Sequence, residues 1–397
     1  MMNRMVIKNV SVVLTDGVLE NRNVLIEDGK IADLDYKVQS MENTVDGQGN
    51  YLFAGFIDLH VHGGGGADFM DETVEAFEDA VRTHANHGTT LLYPTAVAAT
   101  FEDLKTFLET FQAFSAKSEL AKLTPGVHLE GPYFFGANSN SRGAQNGAVL
   151  RLPDEVEVDK LLAIAKGCIH RWDASPELEG ACWFGNKMVE QGILCAAAHT
   201  DATAEETERG FQNGFSHVTH FYNATSLHRK REQTVYAGVV EATYLNDNVT
   251  VELIGDGCHI PKEDVYLAKK IKGAEQVAII TDGTRLSGTD AKTGKLGSKK
   301  NGTDVIVENG VAKLPDRTFY AGSIATMDRC LRVLCKDYGV DVSTASVMLS
   351  LAPAKRMGLE ERKGSIAVGK DADLVLVDKN WNVTQVMIAG AFLGETT

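Results

Sequence analysis

Eight short apolar runs, each closing on a polar turn that carries glycine, proline or asparagine, limit what this 397-residue chain can become. They are GFIDLHVH (55–62), TTLLYPT (89–95), GVHLEGP (126–132), IHRWDASP (169–176), ILCAAAHTD (193–201), HVTHFYN (217–223), VTVELIGDG (249–257) and VAIITDG (277–283). Segments of helical periodicity lie between most of them, over 73–85, 102–114 and 159–165 among others. Runs this apolar suit strands covered on both faces, and strands alternating with helices make βα units. Eight such units predict a closed (β/α)8 TIM barrel over residues 55–358.

The flanks read differently. Residues 1–54 hold alternating strands and the turn Glu27-Asp28-Gly29-Lys30, suited to a tight hairpin, and residues 359–397 return to that style. Two strand-rich termini around a barrel can pair, so they are expected to form one small β-sandwich domain. Residues 284–320, after the eighth run, are polar and glycine-rich and contain the hairpin VIVENGVAKL around Asn309-Gly310. A long excursion from a barrel strand's C-terminal end is a candidate lid, because barrel active sites are built from those loops.

The ends of the runs carry the chemistry. His60 and His62 end the first, Glu130 the third, His199 the fifth, His220 the sixth and Asp282 the eighth. Strand C-termini converge on one mouth of a barrel, and alternation turns His60 and His62 to the same side. A single histidine at a strand end is ordinarily a core or loop residue. Four histidines and a carboxylate at equivalent ends point to a metal centre. Of the other histidines, His84, His87, His170 and His217 fall in helices or at strand starts and read as structural, while His128 faces the same way as Glu130 one layer deeper.

Imidazole mixed with carboxylate suits Zn²⁺ or Fe²⁺, with Mn²⁺, Co²⁺ or Ni²⁺ also accommodated; Mg²⁺ and Ca²⁺ want more oxygen. Five or six protein groups exceed the need of one catalytic ion, so one or two metals per chain are expected, with Glu130 as the bridge if two. Such an ion lowers the pKa of water toward ~7, and Asp282 beside it can act as general base.

A formal net charge of −15 excludes nucleic acid and anionic membrane as expected partners. No apolar run approaches the ~18 residues of a membrane span, and the N-terminus lacks the apolar core of a signal peptide, so a cytoplasmic location is expected. Six scattered cysteines without CxxC spacing read as reduced thiols. Against the acidic background, His228-Arg229-Lys230-Arg231 is a compact basic cluster: a solvated loop, or an anion clamp if it lies beside the metal site.

The blocks AGFIDLHVHGGGG, HLEGPYF, AAHTDAT, THFYNATS, IGDGCHI, IITDGT and AGSIATMD resemble, in order and spacing, the N-acetylglucosamine-6-phosphate deacetylases of the amidohydrolase superfamily. The similarity runs from about residue 5 to about residue 393. It implies Glu130, His199 and His220 as primary metal ligands, His60 and His62 as holders of a second ion present in some members, and Asp282 as the catalytic aspartate. It further implies substrate contacts at His259, Asn223, Ala224, Ala144, Gln145 and Ile324, with Arg231 on a 6-phosphate in its own subunit or across a homodimer. The substrate would be a phosphorylated amino sugar.

Three departures touch that pattern. Gln145 stands where many relatives have histidine, Arg231-Glu232-Gln233-Thr234 replaces a common REPG, and Gly283 follows Asp282 where alanine is usual. Two of these lie on the sugar-phosphate side. A related amidohydrolase acting on another N-acyl substrate is therefore the competing enzyme reading, and a non-catalytic binding protein the third. The second substrate set includes an N-acetylgalactosamine phosphate, an unphosphorylated amino sugar and an N-acyl amino acid.

Overall fold

The computed structural model describes residues 4–40, 42–136 and 140–394. Its centre is a sheet of eight parallel strands in sequence order: Phe56–Val61, Thr89–Ala96, Val127–Glu130, Ile169–Ala174, Leu194–Ala197, Phe215–Val218, Thr250–Ile254 and Val277–Ile280. All eight overlap the apolar runs of the sequence. The last strand returns to the first through a parallel bridge between Val61 and Gly283. There the Asp282 amide donates to the His60 carbonyl at 3.0 Å, and the His62 amide to the Gly283 carbonyl at 2.7 Å. Closure leaves no open sheet edge and sets the C-terminal ends around a common mouth.

The helices between strands start where the sequence supplies caps. Thr73, Thr100 and Asp154 each accept a backbone N–H in the first turn of Val74–Asn86, Phe101–Lys117 and Glu155–Ala165. Thr203 and Glu206 form a reciprocal capping box on Ala204–Gln212, which satisfies two otherwise orphaned groups. Their apolar faces, such as Phe77, Phe107, Phe111 and Phe114, pack outside the barrel in one continuous core.

The termini pair as expected. Tyr51–Ala54 lies antiparallel to Leu374–Val377, with Ala54 opposite Leu374 and Tyr51 opposite Val377. This joins N- and C-terminal strands into one hydrogen-bonded sheet of eight, with its own core from Ile7, Val24 and Leu52 to Leu374 and Met387. The Asp28-Gly29 turn has both residues in the left-handed region, at φ 48° and 76°, the geometry that matches hairpin twist. The same holds for Asn309 (φ 54°) and Gly310 (φ 77°), which turn Thr303–Glu308 into Val311–Lys313. With Thr293–Leu296 these make a three-stranded antiparallel sheet within the predicted lid. All six cysteines are free thiols, Cys195 and Cys330 buried. Among the described residues no helix is long and apolar enough to cross a membrane.

Candidate metal centre and active site

Strand ends become ligand platforms here through one repeated backbone move. Glu130 is the last residue of the third strand, whereas His199, His220 and Asp282 each lie two residues beyond theirs. All three sit in the left-handed region, at φ 45°, 29° and 49°. Such a conformation costs a side-chain-bearing residue about 1–2 kcal/mol, and it recurs where function requires a group to be re-aimed. Glycine supplies the space beside them. A Cβ at Gly322 (φ 63°) would meet the Asp282 carbonyl oxygen at 2.9 Å.

The four imidazoles share one orientation. Nδ1 of His60 faces Glu252 Oε1 at 3.2 Å, that of His62 the Thr95 carbonyl at 3.3 Å, that of His199 the Ser141 carbonyl at 2.8 Å and that of His220 the Asn223 carbonyl at 3.0 Å. Each partner only accepts, so each Nδ1 carries the proton and each Nε2 turns inward. There the Nε2 atoms of His60 and His62 stand 3.2 Å apart, as do those of His199 and His220. Two inward lone pairs repel at that distance unless a metal ion or a shared proton lies between them.

Glu130 joins the two pairs. Its carboxylate oxygens lie 3.1 and 3.2 Å from Nε2 of His199 and His220, and 3.6 Å from Nε2 of His60 and of His62. Asp282 Oδ1 completes the second group, 3.1 Å from His62 Nε2 and 3.5 Å from His60 Nε2. Two buried ligand triads result, His60–His62–Asp282 and Glu130–His199–His220. Burial opposes the charge of Glu130, but the surrounding imidazoles hold its carboxyl well below the usual range; Asp282 is lowered in the same way by His60 and His62. Conversely, burial works against protonated His62 and His220, yet Asp282 and Glu130 raise His62, and Glu130 foremost raises His220, each to about 9. The site is built to hold positive charge, and its donor set fits one or two divalent ions of the Zn²⁺ type.

A cavity of about 340 Å³ opens over these groups. Of the residues expected to touch substrate, Ala144, Gln145, Asn223, Ala224 and His259 line it. His259 is fixed by Nδ1 donating to Asp256 Oδ2 at 2.9 Å, which leaves its other nitrogen for the cavity. Among the described residues the buried Asn223 Nδ2 has no hydrogen-bond partner, so it is a donor in reserve. Gln145 does more than line the wall: its Nε2 donates to Glu130 Oε2, and its Oε1 accepts the Ala98 N–H at 3.0 Å. Ile324 packs against the apolar cluster of Leu286, Leu296 and Ala321, from which Leu296 lines the cavity together with Tyr320 and Gly322. Arg231 ends the first strand of a hairpin, Arg229–Arg231 with Thr234–Tyr236; its side chain lies outside the described residues. His128 sits beneath His60, ring centroids 4.7 Å apart, and 2.9 Å from Asp173.

Several neighbours had no place in the reading of the sequence. The 284–320 excursion contributes Arg317, Thr318, Phe319 and Tyr320 to the cavity wall, with Arg317 ion-paired to Glu308 at 2.6 Å. Below the ligands, Arg171, Asp173 and Glu252 are fully buried inside the barrel. Their signal was present: charged residues at alternate positions of otherwise apolar runs, such as Arg171 and Asp173 in IHRWDASP, must face each other or a ligand.

A closed parallel barrel with such a mouth defines a metal-dependent hydrolase. The amidohydrolase family profile matches residues 51–393. The chain is 30% identical to the N-acetylglucosamine-6-phosphate deacetylase of Lysinibacillus sphaericus, over 99% of this chain and 98% of that one. It is also 30% identical to the Bacillus subtilis enzyme of the same name, over 98% and 97%. The crystal structure of N-acetylglucosamine-6-phosphate deacetylase from Pasteurella multocida superposes with a TM-score of 0.90 at 26% identity, covering 99% of this chain and all of that one. The chain belongs to the amidohydrolase family and, within it, to the N-acetylglucosamine-6-phosphate deacetylases. It is a hydrolase of amide C–N bonds.

Proposed function

We propose that this protein hydrolyses the acetamide of N-acetylglucosamine 6-phosphate to glucosamine 6-phosphate and acetate, in amino-sugar catabolism, with two divalent ions that the two ligand triads would hold. The observation that carries the reading is the meeting, in one cavity, of the two ligand triads with His259 and an Asn223 Nδ2 that has no partner among the described residues. Relatives of full length bear that enzyme's name, and a structure of the Mycobacterium smegmatis enzyme, 27% identical, holds N-acetyl-D-glucosamine-6-phosphate itself.

His60 and His62 would hold one ion, and His199 and His220 the other. Such ions would supply polarisation of the acetyl carbonyl and a more acidic water. Asp282, kept ionised among imidazoles, takes the proton from the attacking water and returns it to the departing nitrogen as the C–N bond breaks. His259 Nε2 orients the acetamide, and Asn223 Nδ2 and the Ala224 backbone hold the sugar. Ala144 and Gln145 close the other side. Arg231 binds the 6-phosphate, in its own subunit or from the partner of a homodimer. The exposed Val235 and Tyr236 on its hairpin support such pairing. A cytoplasmic location goes with this metabolic role.

The test is a hydrolysis screen of N-acetylglucosamine and N-acetylgalactosamine, with and without 6-phosphate, on protein of measured metal content. An Escherichia coli relative, 28% identical, is named N-acetylgalactosamine-6-phosphate deacetylase, which makes the epimer an essential comparison. Highest turnover on N-acetylglucosamine 6-phosphate, lost without the phosphate, is expected; indifference to the phosphate refutes the reading.

A further inference from the structure

His60 alone among the four ligand histidines is oriented by a carboxylate; backbone carbonyls orient the other three. That carboxylate, Glu252, is in the seventh strand and has no exposure to solvent. Its Oε1 accepts from His60 Nδ1 at 3.2 Å, from Arg171 Nη2 at 2.8 Å and from the His220 backbone N–H at 3.4 Å. Its Oε2 accepts from Arg171 Nη1 at 2.6 Å and from His217 Nε2 at 3.2 Å. A carboxylate offers about four lone-pair positions, so this one is saturated and cannot turn.

Arg171 is held with equal firmness. Its Nε and Nη2 donate to the two oxygens of Asp173 at 2.9 and 3.1 Å, and Nη2 also donates to Thr219 Oγ1 at 2.7 Å. Barrel interiors are ordinarily filled with branched apolar side chains, and such residues in place of a buried ion pair are often neutral or stabilising. A layer made only for stability would therefore not need these charges. This layer terminates on the ring of one metal ligand and the backbone of another.

We propose that Glu252, clamped by Arg171, is the positioning residue that presents His60 Nε2 for metal binding and makes the His60–His62–Asp282 site competent. The proposal rests on the two-ion reading above. A charged acceptor on Nδ1 fixes the tautomer and raises the basicity of the ligating nitrogen; losing such a partner typically weakens metal binding about 10–100-fold. Among the described residues the Glu252 carboxylate hydrogen-bonds to the Glu130–His199–His220 group only at the His220 backbone N–H, so the loss falls mainly on the His60 site.

The test uses full-length protein stripped with chelator and then equilibrated with buffered zinc, with bound metal counted by mass spectrometry. Wild type is expected to bind two ions. Glu252→Gln is expected to bind one with wild-type affinity and the other about 10–100-fold more weakly. His60→Ala, which removes the ligand itself, should lose that same site. Glu252→Gln leaves Arg171 paired with Asp173, so the metal-free variant should melt close to the wild type. If it does not fold, Glu252→Asp carries the same test, because it keeps the charge but falls one methylene short of His60. Two unchanged sites, or equal weakening of both, overturn the proposal. One ion in the wild type itself refutes the two-ion reading, a separate result that removes the role assigned to Glu252 with it.

Discussion

Replacing Gln145 with leucine keeps the bulk of the side chain and removes two hydrogen bonds of different kinds. The Ala98 N–H now donates to Oε1 at 3.0 Å, and Gln145 is 5% exposed, so that N–H would be left buried and unsatisfied. This costs about 1–3 kcal/mol. The second bond, Nε2 to Glu130 Oε2, is to an ionised acceptor and contributes about 1.5–3 kcal/mol. Together they reach about 2.5–6 kcal/mol, against a total stability of about 5–15 kcal/mol for a typical protein. The two parts separate by experiment. The Ala98 bond belongs to the fold with or without metal, so urea unfolding of chelated Gln145→Leu should show a loss of at least about 1 kcal/mol. The Glu130 bond bears on a ligand, so zinc affinity should drop by about tenfold or more at 1.4 kcal/mol per decade. A variant that unfolds at the wild-type urea concentration and binds zinc with unchanged affinity would refute the assignment of both bonds.

Asp282→Asn should fold and still bind metal at the Glu130–His199–His220 group, while kcat falls about 10²–10⁴-fold, the usual contribution of a general acid–base group; retained turnover would remove Asp282 from the chemistry. Arg171→Met should destabilise by about 3–5 kcal/mol, measured by denaturant unfolding, because Asp173 and Glu252 would remain buried without their counter-charge. Gly63→Ala would set a Cβ 2.2 Å from the Ala67 carbonyl oxygen and 2.9 Å from Asp68 Cα, both backbone, and should displace the hairpin after His62. A crystal structure with that segment unmoved would contradict this. Burial raises Glu177 to about 7, more than the hydrogen bonds from Thr200 and Asp201 lower it. The folded protein thus keeps a proton that the unfolded chain, with the usual value of 4.5, has released. Stability is lost as pH rises from about 4.5 to about 7, and Glu177→Gln should gain in melting temperature over wild type between pH 5 and pH 8. A pH-independent difference between the two proteins would show that Glu177 does not titrate this way.

The amino-acid sequence by itself determined the strand order and the residues that could meet at the mouth. Apolar runs of strand length, separated by helical periodicity, leave a parallel barrel as the economical solution, and histidines at run ends then converge by topology alone. Asp28-Gly29 and Asn309-Gly310 wrote their hairpins into local conformational preference. What the tertiary structure decided was everything set by distance between strands. That Glu130 lies within 3.6 Å of four imidazole nitrogens depends on the barrel's closure and register, which no single run contains. Gln145 turned out to hold Glu130 as well as line the cavity, and Ile324 to pack against Leu286, Leu296 and Ala321, because the direction of a loop side chain follows from what fills the space around it. Arg171, Asp173 and Glu252 were visible as charges in apolar strands, yet their partners are 48 to 192 residues away for the contacts with Thr219, Glu252 and His60. Periodicity reports which face a residue takes, and only the folded chain brings the opposite charge to it.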